Sequence, residues 1–234
     1  MKIALLGYGK MGRIIEEKAI QRGHEIIFKK GSQGTFEGLE KADVAIDFSI
    51  PSAAVTNIKE CLKLQIPVVS GTTGWLEEYD NIVKECKEKQ GAFLYGSNFS
   101  LGVNIFFELN AHLATIMANF NDYKVSMEEI HHTQKLDAPS GTAITLAQGI
   151  IENSSYDSWT LDKANNNEIS ITAIRQDSVP GTHSVFYDSS IDQIEIKHTA
   201  HSRDGFALGA VIAAEWIFGK KGIFSMKDVL NLNK

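Results

Sequence analysis

Residues 129 to 143 hold most of the side chains in this chain that are suited to acid–base chemistry. They read Glu-Ile-His-His-Thr-Gln-Lys-Leu-Asp-Ala-Pro-Ser-Gly-Thr-Ala. The proton donors and cations His131, His132 and Lys135 come shortly before Ser140-Gly141-Thr142, whose composition is typical of a helix N-terminus. Backbone amides at such a terminus attract anions. The segment therefore predicts a proton donor and a cation beside a binding site for an acidic small molecule.

The two adjacent histidines have alternative interpretations. Neighbouring side chains on a strand point to opposite faces, so we expect one histidine to face the reacting group and the other a second pocket. A zinc-binding pair is an alternative, but the sequence offers no convincing set of further cysteines or histidines, and we predict no metal ion. Two structural histidines would leave Lys135 and Ser140-Gly141-Thr142 unexplained. We interpret Asp137 as a turn residue or a supporting residue rather than a catalytic acid.

A second motif, Gly7-Tyr8-Gly9-Lys10-Met11-Gly12, follows the apolar run Lys2–Leu6 and precedes a helical pattern. Glycines at these spacings allow a tight turn, a close approach of the backbone to a pyrophosphate, and close packing of helix on strand. A glycine-rich turn without a ligand is the alternative. The five alternating strands around the motif favour dinucleotide binding.

Further cofactor contacts are expected where two later strands end. Gly71-Thr72-Thr73 follows the predicted strand Ile66–Ser70, and Gly96-Ser97-Asn98-Phe99 follows Ala92–Tyr95. Ligands of open parallel sheets bind at the carboxyl ends of the strands. Each segment alone is an ordinary turn, but together they predict contacts with the nicotinamide half of a dinucleotide.

Lys29 and Lys30 bear on the choice of dinucleotide. They follow the predicted strand Glu25–Phe28, where an acidic residue would bind the ribose hydroxyls of NAD. Two lysines are able to bind the 2′-phosphate of NADP, although they are equally well explained as solvated surface charges. We expect NADPH or NADH as the cofactor, with Lys29 among the residues that bind it.

The elements that position these motifs alternate through the first hundred residues. We predict strands at 2–6, 25–28, 44–48, 66–70 and 92–95, and helices at 12–22, 52–64 and 76–89, the second with Ser52 available as its cap. Apolar strands separated by helices indicate a parallel sheet that is covered on both faces. The fold class is therefore α/β, with a Rossmann-like doubly wound parallel sheet.

The pattern changes after Asn98. We predict helices at 103–117 and 142–151, a polar loop at 153–167, and strands at 123–130, 169–175, 182–187 and 193–198. Strands in hairpin order indicate an antiparallel or mixed sheet, and hence a smaller α+β domain. Helices at 206–218 and 226–230 are expected to return to the first domain. The predicted domains are 1–98 with 206–234, which binds the dinucleotide, and 99–205.

Composition narrows the possible partners. The formal net charge of −6 argues against nucleic acid and anionic membranes, and no apolar stretch is long enough to span a bilayer. Cys61 and Cys86 lack a partner spacing and are expected to be buried, idle thiols. The N-terminus lacks a signal-peptide cleavage region, so we expect a cytoplasmic protein.

At these residues the chain resembles the 4-hydroxy-tetrahydrodipicolinate reductase (dihydrodipicolinate reductase) family of the diaminopimelate route to lysine. Residues 129–143 carry the most specific part of the resemblance. It continues through Gly7–Gly12, Asp47-Phe48-Ser49, Gly71-Thr72-Thr73, Asn98-Phe99-Ser100, Val179–His183 and His201–Phe206, and so covers nearly the whole chain.

The resemblance implies a Rossmann domain, a second domain whose mixed sheet builds a homotetramer, and NADH or NADPH as the hydride donor. The implied reaction is reduction of a cyclic, unsaturated dicarboxylate to tetrahydrodipicolinate. His131 falls where the family has its proton donor, and Lys135 where it has a second catalytic cation. The residues that fall at the substrate carboxylates are His132, Ser140, Gly141 and Thr142.

Two alternatives stand beside this interpretation. One is a catalytically idle NAD(P)-binding sensor on the same fold, which would have little reason to retain His131, Lys135 and Gly141-Thr142 together. The other is a different two-domain NAD(P) enzyme, such as an amino-acid dehydrogenase. The His-His-x-x-Lys pattern counts against it.

Overall fold

The structure, a computed structural model, describes residues 1–31 and 34–232. The chain divides into two compact units. Unit 1 consists of Met1–Leu101 and the C-terminal segment from Asp204, and unit 2 of Gly102–Arg203. Residues 32, 33, 233 and 234 of the predicted first domain lie outside the described residues. No helix in the described part of the chain is long and apolar enough to cross a membrane.

A six-stranded parallel sheet forms the centre of unit 1. Its strands, numbered along the chain, are β1 (Lys2–Leu6), β2 (Glu25–Lys30), β3 (Val44–Asp47), β4 (Val68–Ser70), β5 (Ala92–Tyr95) and β11 (Gly222–Phe224). They lie in the order β11-β5-β4-β3-β1-β2. Every residue of β3 and β4 is buried, which explains their nearly continuous apolar sequences.

Helices cover both faces of this sheet. One apolar core lies under α1 (Lys10–Gln21), α6 (Asp204–Ile217) and the short α7 (Met226–Val229), and a second under α2 (Pro51–Lys63) and α3 (Tyr79–Glu88). Helix α6 packs so closely that a Cβ on Gly209 would lie 1.7 Å from the carbonyl oxygen of Phe99. The prediction of a doubly wound α/β unit is confirmed.

Unit 2 holds a five-stranded mixed sheet. Its strands are β6 (Lys124–His131), β7 (Ser158–Thr160), β8 (Glu168–Arg175), β9 (Gly181–Asp188) and β10 (Gln193–Ala200), in the order β10-β9-β6-β8-β7. Strand β6 pairs antiparallel with β9 and parallel with β8. Helices α4 (Leu101–Met117) and α5 (Gly141–Ile151) share an apolar core with this sheet. Buried positions alternate along β6, so Glu129 and His131 lie on the same face as the core residues Val125 and Met127.

Three local predictions are wrong. The predicted loop at 153–167 contains β7, and β11 forms where no strand is predicted. Each of these strands has three residues, which is too short to show a periodic pattern. Ser52 does not cap α2, because the helix begins with Pro51 as its first residue and Ile50 as its N-cap.

Candidate active site

The glycine-rich turn of unit 1 leaves its backbone accessible. Gly7 has a φ of +101°, and a Cβ there would lie 2.1 Å from the carbonyl oxygen of Phe48, so only glycine fits. A Cβ on Gly9 would meet nothing within 4 Å. Gly9 is the N-cap of α1, and it supplies no side-chain cap to the helix. The first amides of α1 and the positive end of its dipole are therefore available to an anion.

Two cavities of unit 1 share the wall residues Phe48 and Ser49. The larger measures about 430 Å³ and is lined by Gly7, Tyr8, Gly9, Lys30, Gly31, Phe48, Ser49, Ile50, Ala53 and Asn57. The smaller measures about 200 Å³ and is lined by Met11, Phe48, Ser49, Pro51, Gly71, Thr72 and Thr73. Both glycine-containing segments at the ends of β1 and β4 thus contribute to the cavity walls.

Asp47, the last residue of β3, organises these walls from inside the fold. Its Oδ1 accepts hydrogen bonds from Ser49 Oγ (2.7 Å) and Asn57 Nδ2 (2.9 Å). Its Oδ2 accepts from Ser70 Oγ and Thr72 Oγ1, both at 2.8 Å. Burial raises the pKa of Asp47, and the four donors oppose that rise. One buried carboxylate therefore holds three of the wall side chains.

Lys29 lies beside Tyr8 and Glu16 at the end of β2. Its Nζ is 2.5 Å from Glu16 Oε1 and 3.3 Å from Tyr8 Oη, and the Tyr8 hydroxyl also donates to Glu16. The contact with Glu16 raises the pKa of Lys29, and the contact with Lys29 lowers the pKa of Glu16. Lys30 lines the larger cavity, with its Nζ 4.8 Å from the ring centroid of Phe36.

The remaining predicted cofactor residues follow β5 or begin α1. Asn98 Oδ1 accepts a hydrogen bond from Ser100 N at 2.9 Å, and the Gly96 amide donates to the Ser70 carbonyl at 3.1 Å. Ser97 and Lys10 are exposed.

Phe99, also predicted to contact the cofactor, has its side chain in the core, and its contact with the cofactor stays a prediction. Its side chain is 2% exposed, and its ring centroid is 5.5 Å from that of Phe48. The Phe99 side chain thus supports Phe48 from the core and does not face solvent.

In unit 2, Glu129, His131 and His183 form a buried cluster. Glu129 Oε2 is 3.7 Å from both His131 Nδ1 and His183 Nε2, and the two imidazole centroids are 5.0 Å apart. The pairing of β6 with β9 places Glu129 directly opposite His183. His131 joins them because it lies two residues after Glu129, on the same face of the strand.

Burial governs the protonation of this cluster. Desolvation lowers the pKa of His131, Glu129 partly opposes that effect, and nearby cations add to it. Burial, followed by the influence of His131, lowers the pKa of His183 to about 4. For Glu129 burial raises the pKa, but hydrogen bonds from Ser140 and nearby positive charge lower it overall. At neutral pH the ligand-free cluster therefore contains a carboxylate and two neutral imidazoles.

Lys135 lies in the loop between β6 and α5. Its Nζ forms an ion pair with both oxygens of Asp137, at 2.9 and 2.8 Å. This contact lowers the pKa of Asp137, whose side chain is 61% exposed. Asp137, interpreted from the sequence as a turn or supporting residue, is thus the partner of Lys135 in the ligand-free protein.

The N-terminus of α5 follows this loop. Ser140 is its N-cap, and the Ser140 Oγ accepts a hydrogen bond from Ala143 N at 3.2 Å. Gly141 is exposed, with open space where a Cβ would project, and Thr142 is half-buried. His132 Nδ1 is buried and has no hydrogen-bond partner among the described residues. The predicted helix start at Ser140-Gly141-Thr142 is confirmed.

The cluster in unit 2 also brings three potential metal-ligand atoms together. One atom each from Glu129, His131 and His183 lie within 4.8 Å of one another, a set that the sequence does not reveal. Both oxygens of Glu129 already accept hydrogen bonds, from Ser140 N at 2.9 Å and Arg175 Nη2 at 3.1 Å. The adjacent guanidinium disfavours a second cation. The absence of a metal ion stays a prediction.

Sequence reasoning gave no role to four of these residues: Asp47, Glu129, Arg175 and His183. For Glu129 a signal was present, because a carboxylate stands at a buried position of an alternating strand, two residues before His131. His183 and Arg175 enter the cluster only through strand pairing, which no local pattern reveals.

Two family profiles together match almost the whole chain. Residues 1–99 match the dihydrodipicolinate reductase N-terminus, and residues 102–230 match the dihydrodipicolinate reductase C-terminus. The chain belongs to the dihydrodipicolinate reductase family. It is accordingly an oxidoreductase.

Individual members of the family agree with this membership. The 4-hydroxy-tetrahydrodipicolinate reductase of Christiangramia forsetii is 59% identical over 234 residues, which cover 99% of this chain and 98% of the relative. That of Methanoregula boonei is 35% identical over 217 residues, 91% of this chain and 84% of the relative. The solved structure of dipicolinate-bound dihydrodipicolinate reductase from Paenisporosarcina sp. TG-14 has a TM-score of 0.77 at 22% identity, covering 96% of this chain and 97% of that one. At that identity the structural likeness shows the fold.

Proposed function

We propose that this chain catalyses the NAD(P)H-dependent reduction of 4-hydroxy-tetrahydrodipicolinate (dihydrodipicolinate) to tetrahydrodipicolinate in lysine and diaminopimelate biosynthesis. One observation carries the proposal. In this chain, which belongs to the reductase family, unit 1 has a glycine-rich helix N-terminus without a side-chain cap at Gly9. Unit 2 has the buried His131, which is close in sequence to Lys135 and to the N-terminus of α5. We assign dinucleotide binding to unit 1, and substrate binding and oligomerisation to unit 2.

The residues of unit 1 fit a dinucleotide. The open space at Gly9 and the uncapped first turn of α1 suit a pyrophosphate, because no side chain stands in its way there. The segments 71–73 and 96–99 end β4 and β5 and are the positions for the nicotinamide half. When bound, the reduced nicotinamide supplies the hydride.

For the 2′-phosphate of NADPH we favour Lys30 over Lys29. The ammonium of Lys29 is engaged by Glu16, whereas Lys30 lines the larger cavity together with Gly7 and Gly9. Lys29 would contribute to binding through Tyr8, which its ammonium approaches to 4.7 Å from the ring centroid.

We assign the substrate carboxylates to Lys135 and to the start of α5. The support for Lys135 is its ion pair with Asp137, since an ammonium that binds one carboxylate at 2.8 Å can exchange it for another. At α5 the Ser140 cap leaves Gly141 exposed, so the amides of the first turn suit a second carboxylate. Thr142 and His132 would add side-chain contacts to it.

His131 is the proposed proton donor. Loss of the hydroxyl as water gives the conjugated ring, and addition of hydride to that ring leaves an electron-rich, enamine-like substrate. This substrate must be protonated on carbon, and an imidazolium can do this near neutral pH. Since burial lowers the pKa of His131 in the ligand-free protein, the negative charge of the substrate must raise it on binding. Lys135 would stabilise the negative charge that develops on the substrate as hydride arrives.

The reaction is tested by oxidation of NADH and of NADPH, with substrate generated in situ by condensing pyruvate with aspartate semialdehyde. We expect turnover that depends on the condensation. His131→Ala and Lys135→Ala should each lower kcat by about two to four orders of magnitude. The matched controls His112→Ala and Lys124→Ala alter exposed residues of unit 2 and should leave kcat unchanged.

Each outcome of this assay has a distinct meaning. Near-wild-type turnover of both His131→Ala and Lys135→Ala would contradict the roles assigned to these side chains. No turnover from folded wild-type protein that still binds nucleotide would contradict the reaction and indicate the catalytically idle sensor.

We also propose a cytoplasmic homotetramer assembled through unit 2. Strand β10 lies at one edge of the sheet, with Ile191 just before it 90% exposed and Ile194 within it 37% exposed, and an apolar sheet edge is a surface for association. Cys61 and Cys86 are free thiols, as in most proteins of reducing compartments. Mass photometry of wild type and Ile194→Lys tests the assembly, and cell fractionation tests the location.

A further inference from the structure

The loop of residues 132–140 joins β6 to α5 and carries Lys135 of the proposed site. Arg175, on the neighbouring strand β8, holds the middle of this loop. Its Nε donates to the carbonyl oxygen of Lys135 at 3.2 Å, and its Nη2 donates to that of Asp137 at 2.6 Å. The same Nη2 is 3.1 Å from Glu129 Oε1. Because a guanidinium is a rigid fork of donors, Arg175 fixes the loop and the carboxylate relative to each other.

Glu129 also holds the end of the loop. Its Oε2 accepts a hydrogen bond from the backbone amide of Ser140 at 2.9 Å. The Ser140 Oγ is in turn 3.1 Å from His183 Nε2. Glu129 is therefore connected both to the segment that carries Lys135 and to the cap of α5.

His131 is the third partner of Glu129. Its Nδ1 lies 3.7 Å from Glu129 Oε2, and it is buried without a hydrogen-bond partner in the described part of the chain. On the other side of the ring, a Cβ on Gly181 would lie 3.2 Å from Nε2, so glycine at this position leaves that nitrogen its space. The carboxylate thus faces Nδ1 of His131, whereas Nε2 lies beside Gly181.

We propose that Glu129 is a positioning residue for His131 and for the loop 132–140. Its carboxylate keeps one proton on Nδ1, so that the proton on Nε2 of the imidazolium is the one transferred to the substrate carbon, and the ring returns to the neutral Nδ1–H form. Through Arg175 and Ser140 the same carboxylate fixes the loop beside that ring. The transfer step rests on the proposed function, whereas the arrangement of charge around His131 does not.

The charged groups around His131 come from β6, β8, β9 and the loop. Glu129 is the first of those that favour the protonated ring, and Asp137 is the second. The groups that oppose protonation are Lys135 and Arg175, whereas His183, which also faces the ring, is uncharged at neutral pH. Without the charge of Glu129, burial and these groups would be opposed mainly by the exposed Asp137.

Glu129→Gln tests the proposal, because it keeps the shape of the side chain and removes its charge. We expect the pKa of His131, followed by NMR of its Cε1–H in ligand-free protein, to fall below the wild-type value. The peak is assigned by its absence in His131→Asn. Glu128→Gln is the matched control, since Glu128 is its neighbour on the opposite face of β6 and should leave the titration unchanged. An unchanged titration in Glu129→Gln would overturn the proposal.

Activity gives a second measurement. Glu129→Gln should lower kcat by about tenfold or more at neutral pH, with Glu128→Gln close to wild type. Glu129→Asp keeps the charge but withdraws it from Ser140 and Arg175. It should therefore raise KM while changing the pKa of His131 only slightly. If Glu129→Gln has both the wild-type pKa of His131 and wild-type kinetics, Glu129 has no positioning role. A shifted titration in a protein whose wild type shows no turnover would refute the proposed function alone.

The wild-type protein provides a test if Glu129→Gln does not fold. Nitrogen-15 spectra of neutral His131 should show the proton on Nδ1, and a proton on Nε2 would overturn the proposal. Metal analysis of the purified protein completes the experiment. If the protein contains stoichiometric zinc and His131 does not titrate, the proposal is overturned, and Glu129, His131 and His183 form a metal site.

Discussion

Each unit of this chain buries one carboxylate completely, at or near the end of a central strand, and the two have different surroundings. Asp47 and Glu129 are both 0% exposed. Asp47 accepts hydrogen bonds from three hydroxyls and an amide, all neutral. Glu129 accepts from a guanidinium and a backbone amide, with an imidazole nitrogen at 3.7 Å on each of two sides. Burial raises the pKa of Asp47, whereas the partners of Glu129 outweigh burial and lower its pKa.

Because of this difference, Asp47 holds side chains of the cavity walls in unit 1, whereas Glu129 places a negative charge beside His131 and His183 in unit 2. Asp47 accepts hydrogen bonds from the neutral donors Ser49, Asn57 and Thr72 and so holds these side chains in the cavity walls of unit 1. Two of the groups around Glu129, His131 and His183, gain or lose protons themselves, so the charge of Glu129 influences how His131 holds its proton. On the proposed function, similar burial would serve binding in one unit and proton chemistry in the other.

Removal of the cation beside Glu129 should have the largest effect. Arg175→Met leaves a fully buried carboxylate without its guanidinium, which typically costs about 3–5 kcal/mol of stability. Hydrogen exchange of β6 amides measures this loss within unit 2, and exchange of β1 amides measures the loss in a control variant of unit 1. Arg22→Met is the control, because it breaks a partly exposed ion pair with Glu215 (2.7 Å) and should cost less than about 1 kcal/mol. Equal losses of stability in the two variants would contradict the claim that the buried Glu129–Arg175 pair matters more than the partly exposed Arg22–Glu215 pair.

His183 should make the stability of unit 2 depend on pH. Its pKa is about 4 in the folded protein and near 6.5 when unfolded, so its contribution is fully present above pH 6.5 and is lost as pH falls towards 4. This difference corresponds to about 3 kcal/mol. Hydrogen exchange of β9 amides between pH 7 and 4 should show a much smaller loss in His183→Asn than in wild type. The exposed His112 of α4 is the control, and His112→Asn should keep the wild-type pH dependence. A wild-type pH dependence in His183→Asn would refute the assignment.

Asp47→Asn should affect binding in unit 1 without affecting proton chemistry. One accepting oxygen becomes an amide nitrogen, so two of the four donors lose their acceptor, at about 1–3 kcal/mol for an unsatisfied buried donor. We expect NAD(P)H to bind about tenfold more weakly, as measured by nucleotide fluorescence. Asp43→Asn, which alters an exposed hydrogen bond to Lys2, is the control. Wild-type affinity in Asp47→Asn would show that the network does not shape the cofactor site.

The smallest effect is expected from a half-buried charge of unit 1, that of Lys30. Lys30→Ala should lower the ratio of kcat/KM for NADPH to that for NADH by about tenfold or less, since a single partly solvated cation contributes about 1 kcal/mol. Glu16→Gln should raise the same ratio by releasing Lys29, and the exposed Lys41→Ala should leave it unchanged. If Lys30→Ala keeps the wild-type ratio, the 2′-phosphate is bound elsewhere.

Local sequence patterns predict the parts of this protein that are local in sequence. The parallel sheet of unit 1, the start of α5 at Ser140 and the mixed sheet of unit 2 all follow from apolar periodicity and helix signals. Strands β7 and β11 do not, because three residues cannot display a period and their pairing depends on the rest of the sheet.

In the candidate site, too, contacts between residues distant in sequence cannot be predicted from local patterns. His131 and Lys135 stand out in one short segment, but the contact of Glu129 with His183 depends on the antiparallel register of β6 and β9. Arg175 is opposite His131 only through the parallel register of β6 and β8. The sequence predicts the residues to which we assign the chemistry, and strand pairing determines which residues lie beside them.

The pH dependence of kcat/KM, measured side by side for wild type, Asp47→Asn and Glu129→Gln, tests the central claim most directly. We expect wild-type kcat/KM to fall as pH rises, because His131 must hold a proton in order to donate one. Asp47→Asn should fall at the same pH from a lower maximum, and Glu129→Gln should fall at a lower pH. A common pH midpoint for all three proteins, or an equal shift in both variants, would contradict the claim that these two buried carboxylates do different work.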